Sequence, residues 1–231
     1  MKGRTMKKQK IAFAMNIAIV VFVIVALVWM MSGPGNGLLS DSKLGALRYF
    51  TVDSNILMGI AALIVAIEEW RVLTGKIEDL PVFCYVAALT GTVGVTLTML
   101  VTIFFLAPTM GPVYGVWMLF SNSNFFLHLL NPILSIVVFL AFERTDKIKF
   151  RYTVIGIIPL VIYSVYYTAE ALGHMENGVI APGYDWYGFF LLGANSAVIV
   201  LPLIIAVTYG ISVLLWRLNR QTRGTRKKER T

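Results

Sequence analysis

The chain has 231 residues, of which 58% are hydrophobic and only 14% are charged. An ordinary soluble domain carries a charged fraction nearer a quarter, so the composition excludes that class and predicts a polytopic membrane protein. The net charge of +8 does not indicate nucleic-acid binding, because the lysines and arginines lie at the termini and in short connections rather than beside aromatic residues on one face. With Cys84 as its single cysteine, the sequence predicts no intramolecular disulfide and no cysteine-based metal site.

Six apolar segments follow one another along the chain, each long enough to cross a membrane as a helix. The first follows a basic stretch at 1–10 but is longer than the apolar region of a signal peptide, so we interpret it as a span. The predicted spans are 11–31, 49–67, 82–106, 123–142, 152–172 and 189–216, with a basic tail at 217–231. The predicted fold is therefore all-α, with a six-helix transmembrane domain at 11–216. Gly91 and Gly94 in the third span predict a seam of close helix packing.

The distribution of basic residues predicts the orientation of the chain. The termini and the second and fourth connections carry 18 of the 20 lysines and arginines, and only Lys43 and Arg48 lie on the opposite side. By the positive-inside rule, both termini are expected in the cytoplasm, with the first, third and fifth connections outside. The sequence thus predicts a multi-pass protein of the cell membrane.

Two polar islands interrupt the apolar pattern. The first is RYFTVDSN at 48–55, with Thr51 in the first turn of span 2, and the second is SNSNFFLHLLNP at 121–132, with His128 inside span 4. With the predicted topology, both lie within roughly 10 Å of the outer boundary. They indicate a polar pocket that opens to the outer leaflet, whereas the inner halves of the spans are expected to hold few comparable residues. The residues predicted to support the pocket are Asp53, Ser54, Asn55, Asn124, Asn131, Glu170 and Asn195.

The histidine is the strongest functional indication, because an ionisable side chain inside a span costs free energy unless it finds a partner. His128 can accept the proton of the Thr51 hydroxyl, which would make Thr51 a nucleophile toward an ester carbonyl. A packing role is the competing interpretation, since threonine bonds its own helix readily and asparagine bridges helices. Asp53 and Glu170 lie close enough to the interface to be solvated. No nucleotide-binding loop, zinc helix or nucleophile elbow is present in the sequence, so we expect no metal or cofactor.

At these two motifs the chain resembles the androgen-inducible family of integral-membrane threonine hydrolases and its bacterial six-span relatives. The matching elements are RYFTVDSN at 48–55 and FFLHLLNP at 125–132, together with the six-span plan. The resemblance implies that Thr51 and His128 are a catalytic pair and that the substrate is a lipid ester, as the fatty-acid esters of hydroxy fatty acids are for known members. The chain departs from the family at 121–124, where further histidine is often present.

Two other functions stay open at this stage. The same pocket can hold a small polar or amphipathic ligand in a permease-like or sensory protein, or the polar residues can serve packing alone. A transporter is expected to carry polar residues at the membrane midplane and to show broken helices. Because the polar residues here gather near one face, the sequence favours a hydrolase that takes its lipid ester from the membrane.

Overall fold

The computed structural model of the protein describes residues 6–32, 43–109, 112–142, 146–181, 183–190 and 194–228. The side chains at 109, 112–114, 194–196 and 221–228 lie outside that description. Within it, six helical segments are long and apolar enough to cross a membrane, in agreement with the predicted spans. They are Met6–Ser32, Phe50–Leu73, Val82–Leu106, Asn122–Ala141, Phe150–Gly173 and Ala197–Arg220.

The first three spans begin as regular α-helices. Helix α1 covers Met6–Ser32, a 3-10 turn at Lys43–Arg48 leads into α2 at Phe50–Leu73, and α3 covers Val82–Val101. The third span then widens into a π-helical turn, π1, at Thr102–Leu106.

The connection that follows is helical too. It contains α4 at Ala107–Thr109 and α5 at Pro112–Phe120. Trp117 on α5 is 69% exposed, as expected for an interfacial segment.

The second half of the chain is more interrupted. The fourth span consists of α6 at Asn122–Phe125, a second π-helical turn, π2, at Phe126–Leu130, and α7 at Asn131–Ala141. The fifth span joins a 3-10 segment, Phe150–Ile157, to α8 at Ile158–Gly173. After it come the two-residue antiparallel strands β1, Met175–Glu176, and β2, Val179–Ile180, and then the long helix α9, Ala194–Lys228. The all-α prediction thus holds apart from this small hairpin.

Each π turn ends two residues before a proline, Pro108 or Pro132. Proline lacks the N–H that bonds the carbonyl four residues back, and its ring clashes with that carbonyl, so a regular helix cannot continue through it. We attribute the wide turns to this effect. In them, the N–H groups of Ala107 and Asn131 bond the carbonyls five residues back, those of Thr102 and Phe126.

Helices α2 and α3 pack closely, as the small residues of span 3 predict. A Cβ atom placed on Gly91 would lie 2.8 Å from the Met58 sulfur and 3.0 Å from the Met58 Cα atom. On Gly94 it would lie 3.1 Å from the Ser54 Cβ atom. This contact fixes α2, which carries Thr51, against α3, which leads directly into the π turn that begins at Thr102.

The main core fills the space between α2, α3, α7, α8 and α9. Its largest fully buried side chains include Tyr85, Leu89, Phe139 and Tyr167. Many large apolar side chains remain on the outside, for example Phe104 at 75% exposure and Val198 at 72%. Such a surface suits lipid contact, because hydrocarbon is as apolar as these side chains.

The end of the bundle near the chain termini also buries polar residues, so the expectation that the inner halves would be nearly free of them was wrong. The Asn16 amide donates to the Glu69 carboxylate at 3.0 Å, and Glu69 is 0% exposed. The Ser212 hydroxyl donates to the Thr153 carbonyl at 2.8 Å. The reason is that α2 continues past residue 67 to Leu73 and turns Glu69 toward α1.

Candidate active site

The two polar islands meet in the structure through an asparagine. The Asn55 amide donates to the Thr51 carbonyl at 2.8 Å and to the Leu127 carbonyl of π2 at 3.1 Å. Its own oxygen accepts from the Asn131 amide at 3.0 Å. Both asparagines are fully buried. Asn55 therefore ties the first turn of α2 to the wide turn that carries the histidine.

His128 is 4% exposed, and its Nδ1 atom lies 2.9 Å from the hydroxyl oxygen of Thr102, which is 1% exposed. Among the described residues, no group hydrogen-bonds the other ring nitrogen, Nε2. Thr51 and His128 are not hydrogen-bonded to each other in this structure. Turn π1 presents Thr102 to the imidazole instead.

Thr51 and Thr102 line one cavity of about 90 Å³. Its walls are otherwise mainly apolar or aromatic, with two further aliphatic hydroxyl residues, Thr98 and Ser164, and three tyrosines, Tyr163, Tyr167 and Tyr187. The Thr98 hydroxyl donates to its own helix at the Val95 carbonyl, 3.0 Å away. The hydroxyls of Thr51 and Ser164 bond no group in the described part of the chain, so they are available to a molecule inside the cavity.

The cavity reaches the lipid-facing surface at one edge. Phe105 of π1 lines it and is 65% exposed. Leu201 and Ile204 of α9 complete this side of the wall. The hydroxyl groups of the cavity can therefore be approached from the outside of the helix bundle past Phe105.

The opposite side of the cavity is covered by the fifth connection. The Tyr187 hydroxyl accepts from the backbone N–H of Phe50 at 2.9 Å, and Tyr187 and Phe189 both line the cavity. Burial raises the pKa of Tyr187 well above its ordinary value, so this hydroxyl stays neutral. We call this cover, residues 185–190, the aromatic cap.

Two further tyrosines and an aspartate hold the aromatic cap in place. The Tyr163 hydroxyl donates to the Arg48 carbonyl at 2.6 Å and accepts from the Trp186 indole at 3.0 Å. The Tyr167 hydroxyl bonds the Asp185 carboxylate. That carboxylate also accepts from the backbone N–H groups of residues 189 and 190, at 2.9 and 3.0 Å. The cap is thus held by contacts of the loop with the start of α2 and with α8.

The remaining predicted residues have different surroundings. Ser54 is buried outside the cavity, where its hydroxyl donates to the Thr51 carbonyl at 3.0 Å. Asn124 is buried, and its side chain bonds no described residue. Asp53 is half-buried on α2, off the cavity wall.

Glu170 and Asn195 lie apart from this cluster. Glu170 is 38% exposed and lies in a surface recess beside Arg48 and Trp186, with its carboxylate 4.0 Å from the His174 imidazole. Asn195 lies in the first turn of α9, and its side chain is outside the described part of the structure.

No known protein family, curated protein or solved structure matches the chain. Across the ranges that the structure describes, no group of three histidine, cysteine or acidic side chains could hold a metal ion. The described site offers a histidine, several hydroxyl groups and an apolar cavity.

Thr102 was not identified from the sequence, although a signal for it exists. Thr98 and Thr102 are one helical turn apart at the end of the third span, shortly before Pro108. Two hydroxyl residues on one face near the depth of the polar islands would have marked this helix as a third wall of the site. From the sequence alone, Tyr187 is recognisable only as part of the fifth connection.

Proposed function

We propose that this protein is an integral-membrane hydrolase that cleaves a lipid ester, with Thr51 as the nucleophile and His128 as the general base. One observation carries the proposal. The Thr51 hydroxyl, which has no partner among the described residues, lines an apolar cavity, and a second threonine of the same wall, Thr102, hydrogen-bonds the buried His128 behind it. The resemblance at 48–55 and 125–132 points to the same two residues.

The reaction proceeds by acyl transfer. The Thr51 oxygen attacks the ester carbonyl carbon while its proton passes to the His128 imidazole, which comes within hydrogen-bond reach of Thr51 in the substrate complex. The imidazolium then gives this proton to the leaving alcohol as the carbon–oxygen bond of the ester breaks. Water hydrolyses the resulting acyl-threonine with the same histidine as base. The Ser164 hydroxyl, on the same cavity wall, is the candidate donor to the oxyanion.

The substrate enters from the lipid. The cavity is too small for a whole lipid, but about 90 Å³ accommodates an ester group with part of a chain, and the remainder can lie along the exposed side of Phe105. Given the predicted orientation, the ester comes from the outer leaflet.

A fluorophosphonate probe tests this proposal, because it reacts with activated hydroxyl nucleophiles. The purified protein is expected to be labelled at Thr51, and both Thr51→Ala and His128→Ala are expected to abolish labelling and lipid-ester turnover. The double variant should lose no more activity than either single variant, since residues that act as one unit are non-additive. Thr98→Ala is the matched control: Thr98 lines the same cavity, but its hydroxyl is bound to its own helix.

Ligand binding without chemistry is the second candidate, and the closed aromatic cap over a small cavity favours it. If the protein only binds a ligand, one of two results is expected. Either well-folded Thr51→Ala keeps the probe labelling and the ester turnover of the wild-type protein, or the wild-type protein and all its variants show no labelling and no turnover. Tight binding of a small amphipathic molecule that is lost when a bulky side chain replaces Ser164 would then support the binding function.

A further inference from the structure

The contact between Thr102 and His128 is the one hydrogen bond that the imidazole makes to a described residue. It uses Nδ1, at 2.9 Å, and both side chains are at least 96% buried. Thr102 also lines the cavity. A buried imidazole that is held at one nitrogen has its orientation set by that bond, and the direction of the bond determines which nitrogen carries the proton.

Both partners lie in π-helical turns, and this placement depends on the two prolines. A π turn carries one extra residue, which rotates the side chains before it by about 100° relative to those after it. Turn π1 begins at Thr102 and ends before Pro108, and turn π2 contains His128 and ends before Pro132. Two independent departures from regular helix geometry thus bring one hydroxyl to one imidazole, as is common for π turns at functional sites.

We propose that Thr102 is the positioning residue of His128: it accepts a hydrogen bond from Nδ1–H, so that the neutral ring carries its lone pair on Nε2. This inference rests on the proposed function, in which Nε2 takes the proton of Thr51. A base that is oriented by a third group is a recurring arrangement for activated hydroxyl nucleophiles.

If the same hydrogen bond runs in the opposite direction, Thr102 has a different role in the site. If Thr102 donates to Nδ1, the ring carries its proton on Nε2, and the Thr102 oxygen becomes the activated hydroxyl. The tautomer of His128 therefore separates a positioning threonine from a nucleophilic one.

Nitrogen NMR of the ring measures this tautomer without any substrate. The chain has two histidines, His128 and His174, so His174→Gln leaves a single ¹⁵N-labelled imidazole. At neutral pH the wild-type ring is expected to show a protonated Nδ1 and an unprotonated Nε2. Thr102→Ser should keep this pattern, because serine retains the hydroxyl. Thr102→Val, which has the same shape without the hydroxyl, should lose it.

The labelling reaction supplies the second measurement. Thr102→Val is expected to lower the rate of fluorophosphonate labelling at Thr51 on the order of 100-fold, with little change in KM for a lipid ester, and Thr102→Ser is expected to restore most of the rate. Thr208→Val is the control for removing a buried threonine hydroxyl, because Thr208 lies outside the cavity and its hydroxyl bonds its own helix at the Ile204 carbonyl.

The two measurements test the two proposals independently. A wild-type ring protonated at Nε2, or an adduct mapped to Thr102, would overturn the positioning role even if the protein is a hydrolase. Absence of labelling in every form, with the expected tautomer in wild type and its loss in Thr102→Val, would overturn the hydrolase proposal and still support Thr102 as the residue that orients His128.

Discussion

At the scale of single residues, the partner of a polar side chain decides its role more than its chemical type does. Asn55 and Asn124 are both buried asparagines near the same end of the bundle. Asn55 bonds its own helix and two groups of the fourth span, whereas the Asn124 side chain bonds no residue in the described ranges. Their substitution should therefore have different consequences.

Asn55→Ala is expected to destabilise the protein by roughly 1–3 kcal/mol, because it removes two hydrogen bonds between helices and each contributes up to about 1.7 kcal/mol in a membrane. Asn131→Ala removes one of these bonds and should cost less, with reduced rather than abolished labelling. Unfolding by sodium dodecyl sulfate in mixed micelles measures the difference. Asn124→Ala is the control, and a cost equal to that of Asn55→Ala would contradict this account of the cluster.

At the scale of elements, prolines and glycines set the geometry that places the site. Pro108 and Pro132 end the two π turns, and the glycines of α3 let it approach α2. The π turns orient the side chains of Thr102 and His128 toward each other. The glycines allow the helix that carries Thr51 to pack against the span that carries Thr102. Local sequence thus controls the distances between residues that are far apart in the chain.

Gly91→Ala is expected to destabilise the protein by about 1–3 kcal/mol, since the new methyl group would meet the Met58 sulfur at 2.8 Å and the Met58 Cα atom at 3.0 Å. Gly210→Ala is the matched control, because a Cβ atom at this helical position has no neighbour within 4 Å. The same micelle titration applies. Equal stability of the two variants would mean that α2 and α3 can separate without cost.

At the scale of the whole molecule, charge determines orientation while the bilayer determines the length of the spans. The described segments include six helices able to span a membrane. The basic residues are concentrated at the ends and connections of one side, with 18 of 20 there. The candidate site lies toward the opposite side, where Phe50 begins α2 and the aromatic cap covers the cavity.

We expect the end that carries the aromatic cap to face outward. In a Cys84→Ala background, Lys76→Cys and Glu176→Cys place single thiols at exposed positions in the second and fifth connections. A membrane-impermeant maleimide added to intact cells should label Glu176→Cys and leave Lys76→Cys unlabelled until the membrane is opened. Labelling of Lys76→Cys alone from outside would reverse the predicted orientation, which places the site at the outer leaflet. Labelling of both variants from outside would refute it.

The sequence by itself determined the six spans and the two polar islands, since span length and hydropathy are local properties matched to the bilayer. It also contained the prolines that widen the helices around Thr102 and His128. Only the tertiary structure decided that His128 bonds Thr102, that Asn55 joins the islands and that Glu69 is buried against Asn16. These partners depend on the rotation and register of helices distant in sequence, which side-chain packing fixes and the pattern within one helix does not encode.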